Sequence, residues 1–232
     1  MWSAPPTNSS LRPGTPEGPS ETRTRGVRLW RWFFSHLYTT LAWAYDAVAW
    51  LSSFGRWSSW RRTGLRSIAP GRRLLEVGSG TGHLLVESLA RGDQTIAVDA
   101  SPQMARITMR RLRRRGRPAV VARAQAQALP FAGGVFHAAL STFPSEYIFD
   151  RDVLAELHRI LAPGGALVVV VSARILPVFL WDRLSRWIYD LAGQAPRPDP
   201  KWLSSFEAAG FAARFEVVKI PGASVIQILA TA

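Results

Sequence analysis

The sequence contains no cysteine, which excludes a disulfide framework and a thiolate zinc site. Chemistry that runs through a cysteine thiolate, such as covalent attack on a cytosine ring or the carriage of arsenic on thiols, is excluded with it. Only 4 histidines remain as ring-nitrogen ligands, and no metal site is expected. Acidic residues are scarce: 16 stand against 29 basic ones, for a formal charge of +13. That imbalance directs attention to anionic surfaces, nucleic acid or lipid, before any motif is read. Long apolar runs are also missing. Trp32 to Tyr45 carries no formal charge with His36 neutral, but its 14 residues fall short of the roughly 20 that a spanning helix needs. Residues 1 to 26 hold no apolar core of the secretory kind, so the expected location is cytoplasmic.

What is present, over 232 residues, suits one sizeable α/β domain with an appendage. Residues 1–26, with Pro5, Pro6, Pro13, Pro16 and Pro19, bury too little surface to offset ordering entropy and read as a disordered tail. Residues 27–69 read as an aromatic helical cap. A helix over Trp30 to Leu51 would carry Phe33, Phe34, Leu37, Leu41 and Val48 on one side and Trp32, His36, Trp43 and Trp50 on the other. With two apolar sides it needs a second partner besides the core, either a substrate, a lid helix or a membrane interface.

Residues 70–232 alternate. Strands are expected at Arg73–Val77, Thr95–Val98, Pro118–Ala122, Val135–Leu140 and Gly165–Val171. Helices are expected at Gly82–Arg91, Pro102–Arg115 and Arg151–Leu161. Such alternation implies a doubly wound, mostly parallel sheet covered on both faces. After a helix over Trp202–Ala209 come strands Ala212–Ile220 and Ser224–Ala230, joined by Pro221-Gly222. So short a turn connects only antiparallel neighbours, and a seven-stranded sheet with an antiparallel C-terminal strand follows.

The first strand runs into Glu76-Val77-Gly78-Ser79-Gly80-Thr81-Gly82, and a helix opens at His83. Glycines let the backbone turn sharply and approach a ligand closely. A dinucleotide fingerprint would place its third glycine at position 83, which is His83; the glycines fall at 78, 80 and 82 behind an acidic Glu76. This spacing disfavours a pyrophosphate cradle. Asp99, at the end of the second strand, is placed to accept both hydroxyls of a ribose; the alternative is an ordinary turn with Asp99 capping the next helix.

Four stretches taken together resemble the class I S-adenosylmethionine-dependent methyltransferases of the ubiquinone and menaquinone biosynthesis type. They are Leu74 to Gly82, Asp99 to Met104, Gln125 to Phe131 and Leu157 to Gly165. The resemblance spans about residues 70 to 230 and implies a Rossmann-like methyltransferase fold with S-adenosyl-L-methionine as cofactor. By the same resemblance, Gly78, Ser79 and Gly80 lie along the methionine and ribose parts of the donor, with Gly82 completing the loop. Glu76 faces its amino end, and Asp99 holds the ribose hydroxyls. Ala100 and Met104 flank the adenine, Ala126 offers its backbone to the adenine edge with Gln127 nearby, and Ser141 borders the reacting methyl group. Two positions depart from the family pattern. Gln125 stands where an aspartate is usual, leaving an uncharged acceptor for the adenine amine, and His137 replaces the usual aspartate of the fourth strand.

Methyl transfer from a sulfonium needs alignment more than a base. If a base operates, Glu146 and Tyr147 beyond the fourth strand are its candidates. Enzymes of this superfamily that methylate base amines carry an Asn/Asp-Pro-Pro-aromatic turn at that place, which here reads Ser141-Thr142-Phe143-Pro144-Ser145. A small-molecule or lipid-like acceptor is therefore the expected substrate, with an anionic membrane surface as a second partner and a peripheral position on the inner face of the membrane. Nucleic acid is the less favoured partner. The alternatives are an RNA-modifying methyltransferase and a donor-binding, catalytically inactive regulatory subunit.

Overall fold

A computed structural model describes residues 56–118, 120–175 and 199–232. The expected tail at 1–26 and the aromatic helix over Trp30–Leu51 lie outside the described residues, as do residues 176–198.

The described chain begins with helix α1 (Trp57–Arg66). Strand β1 (Arg73–Val77), helix α2 (His83–Ala90), strand β2 (Gln94–Asp99) and helix α3 (Pro102–Arg114) follow. Next come β3 (Val121–Arg123), β4 (Phe136–Thr142), one turn of 3-10 helix (Glu146–Phe149) and α4 (Arg151–Ile160). The chain continues through β5 (Leu161–Ile175), α5 (Pro200–Ala208), β6 (Ala212–Ile220) and β7 (Ala223–Thr231). One seven-stranded sheet results, in the order β3-β2-β1-β4-β5-β7-β6. Strands β1 to β5 pair in parallel, and β7 runs antiparallel to both β5 and β6. The reversal is made at Pro221-Gly222, where Gly222 takes a left-handed φ of 73°, open to glycine at no steric penalty.

Several boundaries differ from the sequence pattern for physical reasons. Strand β4 reaches Thr142, not Leu140, because Ser141 and Thr142 still pair with Val169 and Val170 of β5. Strand β5 extends to Ile175 because its antiparallel partner holds it, Ile175 opposite Ala223. Strand β3 opens at Val121, three residues past Pro118, whose missing N–H cannot enter a ladder. The helix expected to end at Leu161 stops at Ile160, and Leu161 opens β5.

Alternation along β1 sorts the core into two layers. Leu75 and Val77 face the side covered by α4 and α5, packing with Val153, Leu154, Leu157 and Phe206. Leu74 faces the other side, with Leu65 and Ile68 of the α1 region and Leu84 of α2. Helix α1 lies tight on the sheet at Gly64, where an added Cβ would sit 2.7 Å from a Val170 methyl and 2.8 Å from a Leu140 methyl. Glu76, two residues past Leu74, points to this same α1 and α2 side from the centre of the sheet.

Candidate functional site

The carboxyl ends of β1, β2 and β4 converge on one place, as expected of an open parallel sheet. There the chain turns through Gly78, Gly80 and Gly82, all in left-handed conformation with φ of 73°, 54° and 75°. The turn is stitched to its neighbours. Gly78 N–H donates to the Val98 carbonyl at 2.9 Å, and Ser79 N–H to the same oxygen at 3.3 Å. Gly82 caps α2 and leaves no room for a side chain, since a Cβ there would fall 2.4 Å from the Thr108 methyl. The Thr108 hydroxyl donates to the Gly80 carbonyl at 2.8 Å, and Arg111 donates to the Thr81 carbonyl. Helix α3 therefore shapes the turn from below.

Asp99 ends β2 beside this turn. One carboxylate oxygen accepts from Gly80 N–H at 2.8 Å and the other from Ser101 N–H at 2.9 Å. Each oxygen keeps a lone pair, so a vicinal diol fits the remaining sites. Burial raises the Asp99 carboxyl above its usual range, opposed by the two backbone donors. Asp99 lies opposite Arg123 in the β2–β3 register, which brings the turn Gln125–Ala128 to the same end of the sheet. There Ala128 N–H donates to the Gln125 carbonyl at 3.1 Å. Gln125, Gln127 and Ala100 are exposed and Ala126 is half-buried, whereas Met104 of α3 is only 1% exposed.

Glu76 is 3% exposed and its carboxyl is pushed up to about 8. Burial is the main cause; Arg61 of α1 pulls the value down, and Asp99 and Glu87 push it up. Among the described residues, Glu76 Oε2 and Ser79 Oγ are buried with no hydrogen-bond partner. Two buried, unpartnered oxygens beside glycines that carry no side chain form a cradle for a polar ligand. An ammonium would satisfy Glu76, and ribose hydroxyls would satisfy Asp99. The residues present fit S-adenosylmethionine, which carries both groups.

Ser141, at the end of β4, donates to the Val77 carbonyl at 2.9 Å and lies 3.3 Å from the Tyr147 hydroxyl. The same phenol sits 2.9 Å from where a Gly78 Cβ would be, so Ser141, Tyr147 and the glycine turn form one group. Glu146 is exposed. His137 is turned to structure: its Nδ1 accepts from Arg73 N–H at 3.2 Å. Phe143 takes a left-handed φ of 50°, a strained state for a bulky residue. Its N–H donates to the Val170 carbonyl at 2.7 Å, and its ring stacks on Trp57, centroids 4.3 Å apart. An aromatic wall thus stands two residues beyond Ser141.

Sequence reasoning did not single out Thr108, Arg61 or Phe143. Thr108 left a signal, as a hydroxyl on the stripe Met104, Ala105, Leu112 that α3 buries. Arg61 left none, since its burial depends on how α1 docks. The strain at Phe143 is likewise invisible until backbone angles are known.

A family model described as a methyltransferase domain matches residues 74–165. The chain is 31% identical over 217 residues to the demethylmenaquinone methyltransferase of Thermus thermophilus, covering 82% of this chain and 97% of that protein. It is 33% identical over 181 residues to the demethylmenaquinone methyltransferase of Clavibacter sepedonicus, covering 76% and 71%. Among solved structures, the geranyl diphosphate C-methyltransferase of Streptomyces coelicolor A3(2) shares the fold, with a TM-score of 0.57 at 17% identity over 75% of this chain and 80% of that one.

Proposed function

Because this chain belongs to the class I S-adenosylmethionine-dependent methyltransferases of the ubiquinone and menaquinone biosynthesis type, we propose that it methylates a small, apolar, lipid-like acceptor. The observation that carries the reading is the pair of buried, unpartnered oxygens of Glu76 and Ser79 at a turn of left-handed glycines. When bound, the cofactor supplies an electrophilic methyl group on a sulfonium.

Each residue then has a task. Glu76 holds the donor's ammonium, and Gly78, Ser79 and Gly80 give backbone and hydroxyl contacts along its methionine and ribose. Gly82 keeps the turn clear as α2 begins, and Asp99 accepts the ribose hydroxyls through its two remaining lone pairs. Ala100 and Met104 form the adenine floor, with Gln125, Ala126 and Gln127 at the adenine edge. Ser141 borders the transferred methyl group. Alignment supplies up to about 7–11 kcal/mol of the barrier, so these residues act chiefly by orienting and excluding water. Of the two base candidates, Tyr147 is the better placed, next to Ser141, while Glu146 points to solvent.

The half-buried pair Trp57 and Phe143 supports an apolar acceptor, as does the name of the relatives, demethylmenaquinone methyltransferases. An acceptor of this kind resides in a bilayer. Trp32, Trp43 and Trp50, with Arg23, Arg25, Arg28 and Arg31, support a peripheral position on the inner face of a membrane, with residues 27–69 serving as cap to the domain. Trp60 and Arg61 are buried and Arg62 pairs with Glu87, so these three turn to the fold instead. No helix among the described residues is long and apolar enough to cross a membrane.

Incubation with isotope-labelled methyl donor and either a detergent-dispersed demethylated naphthoquinol or total RNA tests the reading. Label should enter the hexane-soluble fraction. Label confined to RNA, or none in either fraction with the donor bound, overturns it.

A further inference from the structure

The methyl-transfer site leaves one large feature of the molecule unused. Between Asp99 and Glu146 the chain has no acidic residue, yet helix α3 and the turn after it carry a dense run of arginines. Arg106, Arg113 and Arg117 are exposed, and Arg110, Arg114 and Arg115 are exposed beside them. A cleft of about 370 Å³ lies along this helix, lined by Ile107, Arg110, Arg111, Arg114 and Arg115. These five recur at helical spacing and share one face.

The arrangement works against the isolated fold. Arg110 and Arg114, like Arg111 and Arg115, stand four apart, where like charges repel. Among the described residues, the guanidinium groups of Arg110, Arg114 and Arg115 have neither an ion pair nor a hydrogen bond to offset this. The helix dipole favours cations in the last turn, but it accounts neither for Arg110 a turn earlier nor for a cleft. Unpaired guanidinium forks around a concave surface match the geometry of phosphate oxygens, which they bind two bonds at a time.

We propose that the arginine cleft of α3 binds the phosphates of anionic phospholipid headgroups at a bilayer surface. The 13 residues of α3 span about 20 Å, so the strip meets several phosphates of a planar array at once. No aromatic side chain lines the cleft, so it lacks the stacking surface that single-stranded nucleic acid uses, and Ile107 is the apolar member set among the charges. Arg111 joins this surface to the donor turn, because it also donates to the Thr81 carbonyl. This surface is distinct from the donor cradle, and its contact with lipid does not depend on which acceptor is methylated.

Co-sedimentation of the full chain with vesicles of phosphatidylcholine alone, or mixed with phosphatidylglycerol, tests it. Wild type should pellet with the mixed vesicles at low salt, release at high salt, and ignore neutral vesicles. The variant Arg110→Gln/Arg114→Gln/Arg115→Gln, which spares Arg111, should partition at least tenfold more weakly. Its binding of S-adenosylhomocysteine should be unchanged, which certifies the fold and separates this surface from the donor site. Wild-type pelleting by the triple variant would place any membrane contact elsewhere in the chain and overturn the proposal. So would failure of wild type to bind anionic vesicles, or wild-type binding of single-stranded RNA, lost in the variant, in place of vesicle binding.

Discussion

At the scale of single residues, the site depends on atoms kept without partners and on positions kept without side chains. Glu76 shows the first. With its carboxyl near 8 in the folded chain against the usual 4.5, it is protonated at pH 7 before the donor arrives. Between these two values the folded chain holds a proton that the unfolded chain has lost. The contribution of this group to stability is therefore full below about pH 4.5 and declines as pH rises toward 8. Donor binding should run the other way, since an ammonium favours the carboxylate. At pH 7 binding should release a proton, and affinity should rise between about pH 6 and 8 by up to tenfold per unit. Calorimetry in two buffers of different ionisation enthalpy counts that proton, and a count of zero would contradict the role given to Glu76. Glu76→Gln should abolish the release.

Gly82 shows the second. Alanine there meets the Thr108 methyl at 2.4 Å with φ at 75°. The left-handed state costs about 1–2 kcal/mol, and overpacking a filled site adds about 1–3 kcal/mol. Thermal melting should therefore fall by several degrees in Gly82→Ala. Adding Thr108→Ser, which removes the clashing methyl and keeps the hydroxyl bond to Gly80, should restore part of the loss, whereas purely additive effects would show that the two do not touch.

At the scale of elements, α1 is part of the fold rather than an ornament on it. Trp60 is 1% exposed and packs with Val170, Ala173 and Val225 of the sheet. Trp60→Ala should cost about 3–5 kcal/mol, read as a shift of the denaturant midpoint at constant slope. An unchanged midpoint would mean that α1 can leave the sheet without consequence. Elements were legible in the sequence where pattern and punctuation agreed. Leu74-Leu75, the glycine turn and the Pro221-Gly222 reversal announce themselves by residue type, and the strand order's single antiparallel member follows from the last of these. The Asp99 carboxylate was legible for the same reason, as an acid at a strand end. What the sequence did not disclose depends on distant partners. The extra residues of β5 are held by β7, and Arg61 reaches Glu76 only because α1 docks through Gly64. The phenol of Tyr147 meets Ser141 only because the loop after β4 winds into a 3-10 turn.

At the scale of the molecule, one helical layer joins the donor cradle to the basic surface. Helix α3 supports the glycine turn through Thr108 and Arg111 while presenting its other arginines outward. The donor cradle sits at the centre of the molecule's chemistry, and calorimetry with S-adenosylhomocysteine and with NAD is its sharpest test. Wild type should bind S-adenosylhomocysteine and not NAD. In Asp99→Ala the affinity should drop by about 1.5–3 kcal/mol, the range for hydrogen bonds to a charged group. Binding of NAD with no response to S-adenosylhomocysteine, or wild-type affinity in Asp99→Ala, would contradict the account.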